Sequence, residues 1–189
     1  PDVEGHPGAC AIFSRNVSPA VRAEVGLHPY LIDGLSTSSR EELSILFSDI
    51  RSFTTLSETM EAEKVVDLLN TYFSVMCDII FEHKGTLDKF IGDAIMAFWN
   101  APVDVVDHKK HAVKSGLMML KELGKLNKIF LEKYGFEINI GIGLHAGMVR
   151  VGNMGTKELF DYTIIGDNVN LASRLEGLCK FYGTRIIIS

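Results

Sequence analysis

Leu87-Asp88-Lys89-Phe90-Ile91-Gly92-Asp93-Ala94-Ile95-Met96-Ala97-Phe98-Trp99 holds two short apolar runs, residues 87–91 and 94–99, separated by Gly92-Asp93. A two-residue Gly-Asp connection predicts a hairpin, because glycine supplies the positive φ of a tight primed turn. Upstream, Val65, Leu68, Leu69, Tyr72, Met76, Ile79 and Ile80 recur at helical spacing. Glu61 and Glu63 stand in the first turn of that helix and Gly85 just past its end, where the dipole and capping favour them. Earlier still, residues 42–49 alternate and then run apolar, as a central strand does. Downstream, a second long helix is predicted over residues 105–133, with Val113, Leu117, Leu120, Leu123 and Phe130 on its buried stripe. Strand-like segments follow at 136–145, 148–154 and 160–165, then a helix over 167–179 and a strand over 184–188. The order predicts an α+β fold: a ferredoxin-like β-α-β-β-α-β core with a mostly antiparallel sheet and helices on one face.

The remaining 1–40 stretch reads differently. Pro1, Pro7, Pro19 and Pro29, the glycines among them, and Leu35-Ser36-Thr37-Ser38-Ser39 suggest a lead-in or linker, leaving 41–189 as the catalytic or binding domain. With 189 residues, 47% apolar and 23% charged, the chain is long enough for one domain with a substantial core. Nineteen Lys and Arg against 24 Asp and Glu give a net charge of −5, without the cationic stripe that nucleic-acid binding needs. The longest apolar run, residues 94–99, is far short of the roughly 20 residues of a membrane-spanning helix, so no membrane contact is expected from this segment. Cys10, Cys77 and Cys179 are odd in number and widely spaced, which indicates neither a disulfide framework nor a zinc site and suggests a cytoplasmic, reducing compartment.

Three stretches carry chemistry. In Phe47-Ser48-Asp49-Ile50-Arg51-Ser52-Phe53-Thr54 an apolar strand delivers a carboxylate to the sheet rim. The polar loop after it leads into a helix start whose free N–H groups can hold phosphate oxygens. Asp49 alone is equally consistent with capping a turn. Asp93 on the hairpin tip changes the balance, since two acids on neighbouring strand ends can share hard cations and leave coordination sites for substrate phosphates. The third stretch is Tyr162-Thr163-Ile164-Ile165-Gly166-Asp167-Asn168-Val169-Asn170-Leu171-Ala172-Ser173-Arg174. On a helix beginning near Asp167, Asn170 and Arg174 are one turn apart and point the same way. An amide beside a guanidinium suits a ribose oxygen and a phosphoryl group, although a lone pair of this kind is more often a solvated face.

In this order and spacing the three stretches resemble the class III nucleotidyl cyclase catalytic domain, over residues 41–189. The resemblance implies that Asp49 and Asp93, with the Ile50 carbonyl, hold two Mg²⁺ or Mn²⁺ ions. Asn170 and Arg174 would be the catalytic pair that stabilises the transition state, and Lys89 and Thr163 the purine contacts. The amides of the Asp49–Thr54 loop, Phe53 and Thr54 among them, would hold the β- and γ-phosphates. The reaction implied is attack of the ribose 3′-hydroxyl on the α-phosphorus of a nucleoside triphosphate, with loss of pyrophosphate.

Hydrogen-bond inventory then favours ATP. Lys89 offers donors only, which suits adenine N1, and the Thr163 hydroxyl can accept from adenine N6. Guanylate-making relatives typically carry Glu and Cys at these positions. A guanylate cyclase or a catalytically silent nucleotide-binding or dimerisation module are the alternatives. A diguanylate-synthesising domain would need a Gly-Gly-acid-acid-Phe hairpin in place of Ile91-Gly92-Asp93-Ala94. The family's site lies at a head-to-tail dimer interface, with the aspartates from one subunit and Asn and Arg from the other, so a homodimer is expected. A second family lysine falls beyond Ser189, so the domain is expected to be truncated at its C-terminal end. An upstream sensor, or a membrane anchor elsewhere in a longer chain, fits the linker. Trp99 and the phenylalanines are expected in the core, His108 and His111 on a solvated face, and His145 in a structural role. Arg150 is left open between a phosphate contact and plain surface.

Overall fold

The computed structural model describes residues 39–155 and 160–189. The lead-in assigned to residues 1–40 lies outside them except for its last two residues, which open the first strand. In chain order the elements are β1 (Ser39–Ile50), α1 (Phe53–Glu58), α2 (Ala62–Glu82), β2 (Thr86–Ile91), β3 (Ala94–Trp99), α3 (His108–Tyr134), β4 (Ile140–Gly155), β5 (Phe160–Ile165), α4 (Asp167–Tyr182) and β6 (Ile186–Ile188). The sheet runs β2-β3-β1-β4-β5, with β6 added in parallel to β4. Its first four strands pair antiparallel in the order expected of a ferredoxin-like core.

Period-two alternation divides the sheet's side chains between two cores. Leu46, Ile50, Ile95, Ala97, Trp99, Ile140, Ile142 and Leu144 face the two long helices, meeting Leu68, Tyr72, Met76 and Ile80 of α2 and Met119, Leu123 and Phe130 of α3. Burial of each such side chain contributes about 1.5–3 kcal/mol. The helices of the ferredoxin-like unit therefore share one face. On the other face, Leu43, Ile45, Met96, Phe98, Val149, Val151 and Ile164 pack with Val169 and Ala172 of α4. Two of the polar pairs enclosed by the first core are the Ser48 and Tyr72 hydroxyls, 3.2 Å apart, and Trp99 Nε1, which donates to the His83 carbonyl at 2.9 Å.

Three elements differ from expectation. The loop after Asp49 folds into a separate short helix, α1, before α2 begins. The second long helix starts at His108 rather than residue 105. Segments 136–145 and 148–154 form one 16-residue strand that begins at Ile140 and pairs along the whole of β1, from Ser39↔Val151 to Ile50↔Ile140. Gly143, near the start of this strand, serves a close approach. A Cβ on Gly143 would stand 2.3 Å from both the Ala172 carbonyl oxygen and the Glu176 amide nitrogen of α4. Backbone cannot yield as a flexible side chain can, so α4 would have to move.

Gly143→Ala is accordingly expected to destabilise the domain by about 2 kcal/mol or more through overpacking. An equilibrium denaturant melt checks it, and an unchanged midpoint would show that α4 does not lie this close.

Candidate active site

Register brings the two acids together. β1 and β3 pair from Ser44↔Trp99 to Ser48↔Ile95, so the end of β1 meets the turn before β3. Gly92 supplies that turn with φ 64°. The Ile50 amide leaves the ladder and donates to Asp93 Oδ2 at 3.2 Å. Asp49 stands close enough to hydrogen-bond with Asp93, and both are half-buried. Burial, and after it the hydrogen bond and charge of Asp49, push the Asp93 carboxyl up to about 6. This is a like-charge pair whose repulsion a cation would relieve. Its donors, two carboxylates and the Ile50 carbonyl, are all oxygen, the set that hard divalent ions prefer. Among the described residues no group of three or more His, Cys, Asp and Glu gathers to enclose an ion. Such a sparse set suits Mg²⁺, which keeps several sites for water and phosphate oxygen.

The turn after these acids is clamped. Ser52 takes left-handed backbone, φ 57°, and the Arg51 amide donates to the Asn139 carbonyl at 2.7 Å. The Arg51 guanidinium reaches the Glu176 carboxylate at 2.9 Å and its carbonyl at 3.0 Å, tying the turn to α4. It occupies the space a side chain at Gly141 would take. Phe53 and Thr54 then open α1, where the first amides have no partner within the helix. The Phe53 ring packs on the core and Thr54 is exposed.

Lys89 and Thr163 lie on β2 and β5, the two ends of the main strand order, yet they meet. The sheet coils enough for Asp88 to bridge its edges. Thr163 Oγ1 donates to Asp88 Oδ2 at 2.7 Å, and the Ile164 amide points to the same oxygen at 3.4 Å. Lys89 Nζ stands 3.3 Å from Asp88 Oδ1 and 3.7 Å from the exposed Asp161. A register shift between Leu87 and Lys89 makes Asp88 the extra residue of a bulge, which turns its carboxyl inward to 3% exposure. Sequence reasoning passed over Asp88. The available signal was an acid in the middle of a short strand, between Leu87 and Lys89.

Asn170 and Arg174 sit one turn apart on α4, both exposed, while Val169, Ala172, Leu175 and Cys179 line the buried side. The pair thus faces away from β4. The structure gathers Asp49, Ile50 and Asp93 at one rim, sets Phe53 and Thr54 beside them, joins Lys89 to Thr163 through Asp88, and turns Asn170 and Arg174 outward. His145 Nε2 lies 2.9 Å from Asn168 Oδ1, a structural contact as expected. His108 departs from expectation: it is half-buried, with Nδ1 2.8 Å from Ser44 Oγ. His111 is half-buried too. Cys77 and Cys179 are free and buried, and Arg150 is exposed. No described helix is long and apolar enough to cross a membrane.

Residues 35–188 match the family model described as the adenylate and guanylate cyclase catalytic domain. Adenylate cyclase 1 of Rhizobium meliloti is 40% identical over 150 residues, covering 79% of this chain and 23% of that protein. Adenylate cyclase of Anabaena cylindrica is 39% identical over 159 residues, covering 82% and 31%. The chain therefore spans less than a third of these curated relatives. Among solved structures, the adenylyl cyclase CyaB from P. aeruginosa aligns with a TM-score of 0.75 at 39% identity, covering 81% of this chain and 79% of that one. The guanylyl cyclase Cya2 aligns at 0.74 with 38% identity, covering 80% and 76%.

The raised Asp93 carboxyl sets a sign for stability. Native Asp93 holds its proton up to about pH 6, whereas an unfolded aspartate releases it near 3.8. The ion-free protein therefore loses stability as pH rises between those values. Asp93→Asn is expected to raise the melting temperature at pH 7, by about 1–2 kcal/mol of stability after allowing for solvent screening, and to make no difference near pH 4. Mn²⁺ should raise the melting temperature of the unaltered chain and not of Asp93→Asn. Thermal melts at both pH values, with and without Mn²⁺, check all three statements.

Proposed function

The chain belongs to the adenylate and guanylate cyclase catalytic domain family, and we propose that it converts ATP to 3′,5′-cyclic AMP and pyrophosphate at sites shared by two copies of itself. The observation that carries the base assignment is the convergence of Lys89 and Thr163 on the Asp88 carboxylate across the coiled sheet. Overall likeness does not choose the base, because an adenylyl and a guanylyl cyclase align equally well. Lys89 donates to adenine N1, an acceptor that guanine lacks in that form, and the Thr163 oxygen accepts from the 6-amino group. No acid stands at position 89 to receive the N–H groups of guanine.

Asp49, Asp93 and the Ile50 carbonyl hold two Mg²⁺ or Mn²⁺ ions, as the oxygen-only donor set and the like-charge pair suit. When bound, such ions lower the pKa of the ribose 3′-hydroxyl and neutralise the triphosphate. The amides at Phe53 and Thr54 take β- and γ-phosphate oxygens. The 3′-oxygen attacks the α-phosphorus and the bond to the β-phosphate oxygen breaks in line, releasing pyrophosphate. Arg174 stabilises the charge that grows on the α-phosphoryl oxygens, and Asn170 orients the ribose. No protein base is required.

Asn170 and Arg174 face outward from α4, which supports their serving the Asp49–Asp93 pair of a second copy in a head-to-tail homodimer. The C-terminal end of α4 carries Phe181 at 80% and Tyr182 at 67% exposure, and Ile91 on the β2 tip is 53% exposed. Apolar side chains of that size favour a covered surface. The much greater length of the relatives supports an output domain driven by a sensor elsewhere in a longer chain.

Purified protein with Mn²⁺ and either ATP or GTP, its products separated by chromatography, is expected to yield cyclic AMP from ATP. A preference for GTP would reverse the base assignment, and silence with both would favour a non-catalytic module. Lys89→Glu with Thr163→Cys should weaken the ATP preference; unchanged selectivity counts against both contacts. Asp93→Asn and Arg174→Ala chains, each almost inactive alone, should regain part of the activity when mixed, through one intact hybrid site. No recovery would exclude shared sites.

A further inference from the structure

We infer that Asp88 sets the base preference by taking the Thr163 hydroxyl proton, which leaves the Thr163 oxygen facing the purine as an acceptor only. The inference rests on the ATP reading and deepens it. A threonine hydroxyl has one proton and two lone pairs, so by itself it suits a donor or an acceptor on the base equally well. Here the proton is committed: Thr163 Oγ1 donates to Asp88 Oδ2 at 2.7 Å. The Ile164 amide approaches the same oxygen at 3.4 Å, and the Lys89 ammonium stands 3.3 Å from the other. Together these donors keep the carboxyl in its accepting form. Burial pushes the other way, raising the Asp88 carboxyl, with the Thr163 hydroxyl and Lys89 opposing it. The bulge holds Asp88 in place, and both Asp88 and Thr163 are buried at 3% and 8% exposure, so bulk water does not compete for the hydroxyl.

The remaining Thr163 lone pairs favour the 6-amino group of adenine and oppose the 6-oxo group of guanine, lone pair against lone pair. Asp88 also draws the Lys89 ammonium to the same place while leaving it further N–H donors for N1. Asp88 is thus a positioning residue. It touches no substrate, and it acts through two residues that do.

Steady-state kinetics with ATP, GTP and purine riboside 5′-triphosphate test this. The last compound keeps N1 and lacks the 6-amino group, so it isolates the Thr163 contact from that of Lys89. The unaltered chain is expected to use ATP about tenfold better in kcat/KM than the analogue, the usual worth of one hydrogen bond in a shielded site. Asp88→Leu, which removes the acceptor and frees the proton to meet a 6-oxo group, should narrow the gap between ATP and GTP by about tenfold while leaving the ratio of ATP to the analogue within about twofold, because a Thr163 lone pair can still accept from the 6-amino group. Asp88→Asn should keep most of the gap between ATP and GTP, because its amide oxygen can still accept from Thr163 and Ile164. Asp88→Ala serves as a second acceptor-free variant if a circular-dichroism melt shows Asp88→Leu unfolded. A merely structural role for Asp88 would lower all three nucleotides by one common factor, and that result overturns the inference while the ATP reading stands. Preference of the unaltered chain for GTP would instead overturn the ATP reading, and the inference with it.

Discussion

β4 and α4 approach one another at a separation that leaves no room for a side chain at Gly143, and much of the site follows from that approach. The depth at which α4 lies on the sheet sets where Asn170 and Arg174 emerge. It also decides what fills the neighbouring spaces along β4. At Gly141 the space is taken by the Arg51 guanidinium, and at Gly147 by the Asn168 amide, which is itself bonded to His145 and to the Met148 carbonyl. A methyl group at any of these positions would push against backbone or against a hydrogen-bonded side chain. Close packing of this kind transmits displacement instead of absorbing it.

Carboxylates are handled in two opposite ways in this fold. Asp88 is buried and receives the Thr163 hydroxyl, the Ile164 amide and a neighbouring ammonium, as a buried acid requires. Asp93 is less buried, yet its nearest charged neighbour is another acid, and its carboxyl is pushed up to about 6. A turn shaped only for stability would not place Asp49 beside it. Strain of this sort concentrates where a ligand is meant to bind, since the ligand relieves it.

Periodicity made most of the fold legible. Val65 to Ile80 marked α2, the runs around Gly92-Asp93 marked the hairpin, and the β-α-β-β-α-β order then implied the sheet. It split β4 at residues 146–147, because Ala146-Gly147 is a weak strand former on local preference alone; the reason for Gly147 lies in α4, whose Asn168 amide fills the space beside it. The site was legible as separate motifs, in Asp49, Asp93, Asn170 and Arg174. What joins Lys89 to Thr163 was not. Pairing of two sheet edges through a bulge depends on the coil of the whole sheet, and Asp88 reads in sequence as one more charge on a strand. His108 was missed for a similar reason: its partner Ser44 lies 64 residues earlier, on β1.

Arg51 gives the arrangement one more consequence. Its guanidinium links the turn that follows Asp49 and Ile50 to Glu176, two residues beyond Arg174 on α4. Glu176 is partly buried, and burial raises its carboxyl while Arg51 opposes the rise, so neither partner can leave without exposing the other to an unpaired setting. Within one chain the acid-bearing turn and the helix bearing Asn170 and Arg174 therefore move as a unit. In the head-to-tail dimer proposed above, those two parts of a chain serve different sites. A shift of α4 that improves the fit of Arg174 at one site then pulls on the Asp49 turn of the other. The rigidity that the glycines of β4 impose on a single chain would, in such a pair, become a mechanical link between two reaction centres.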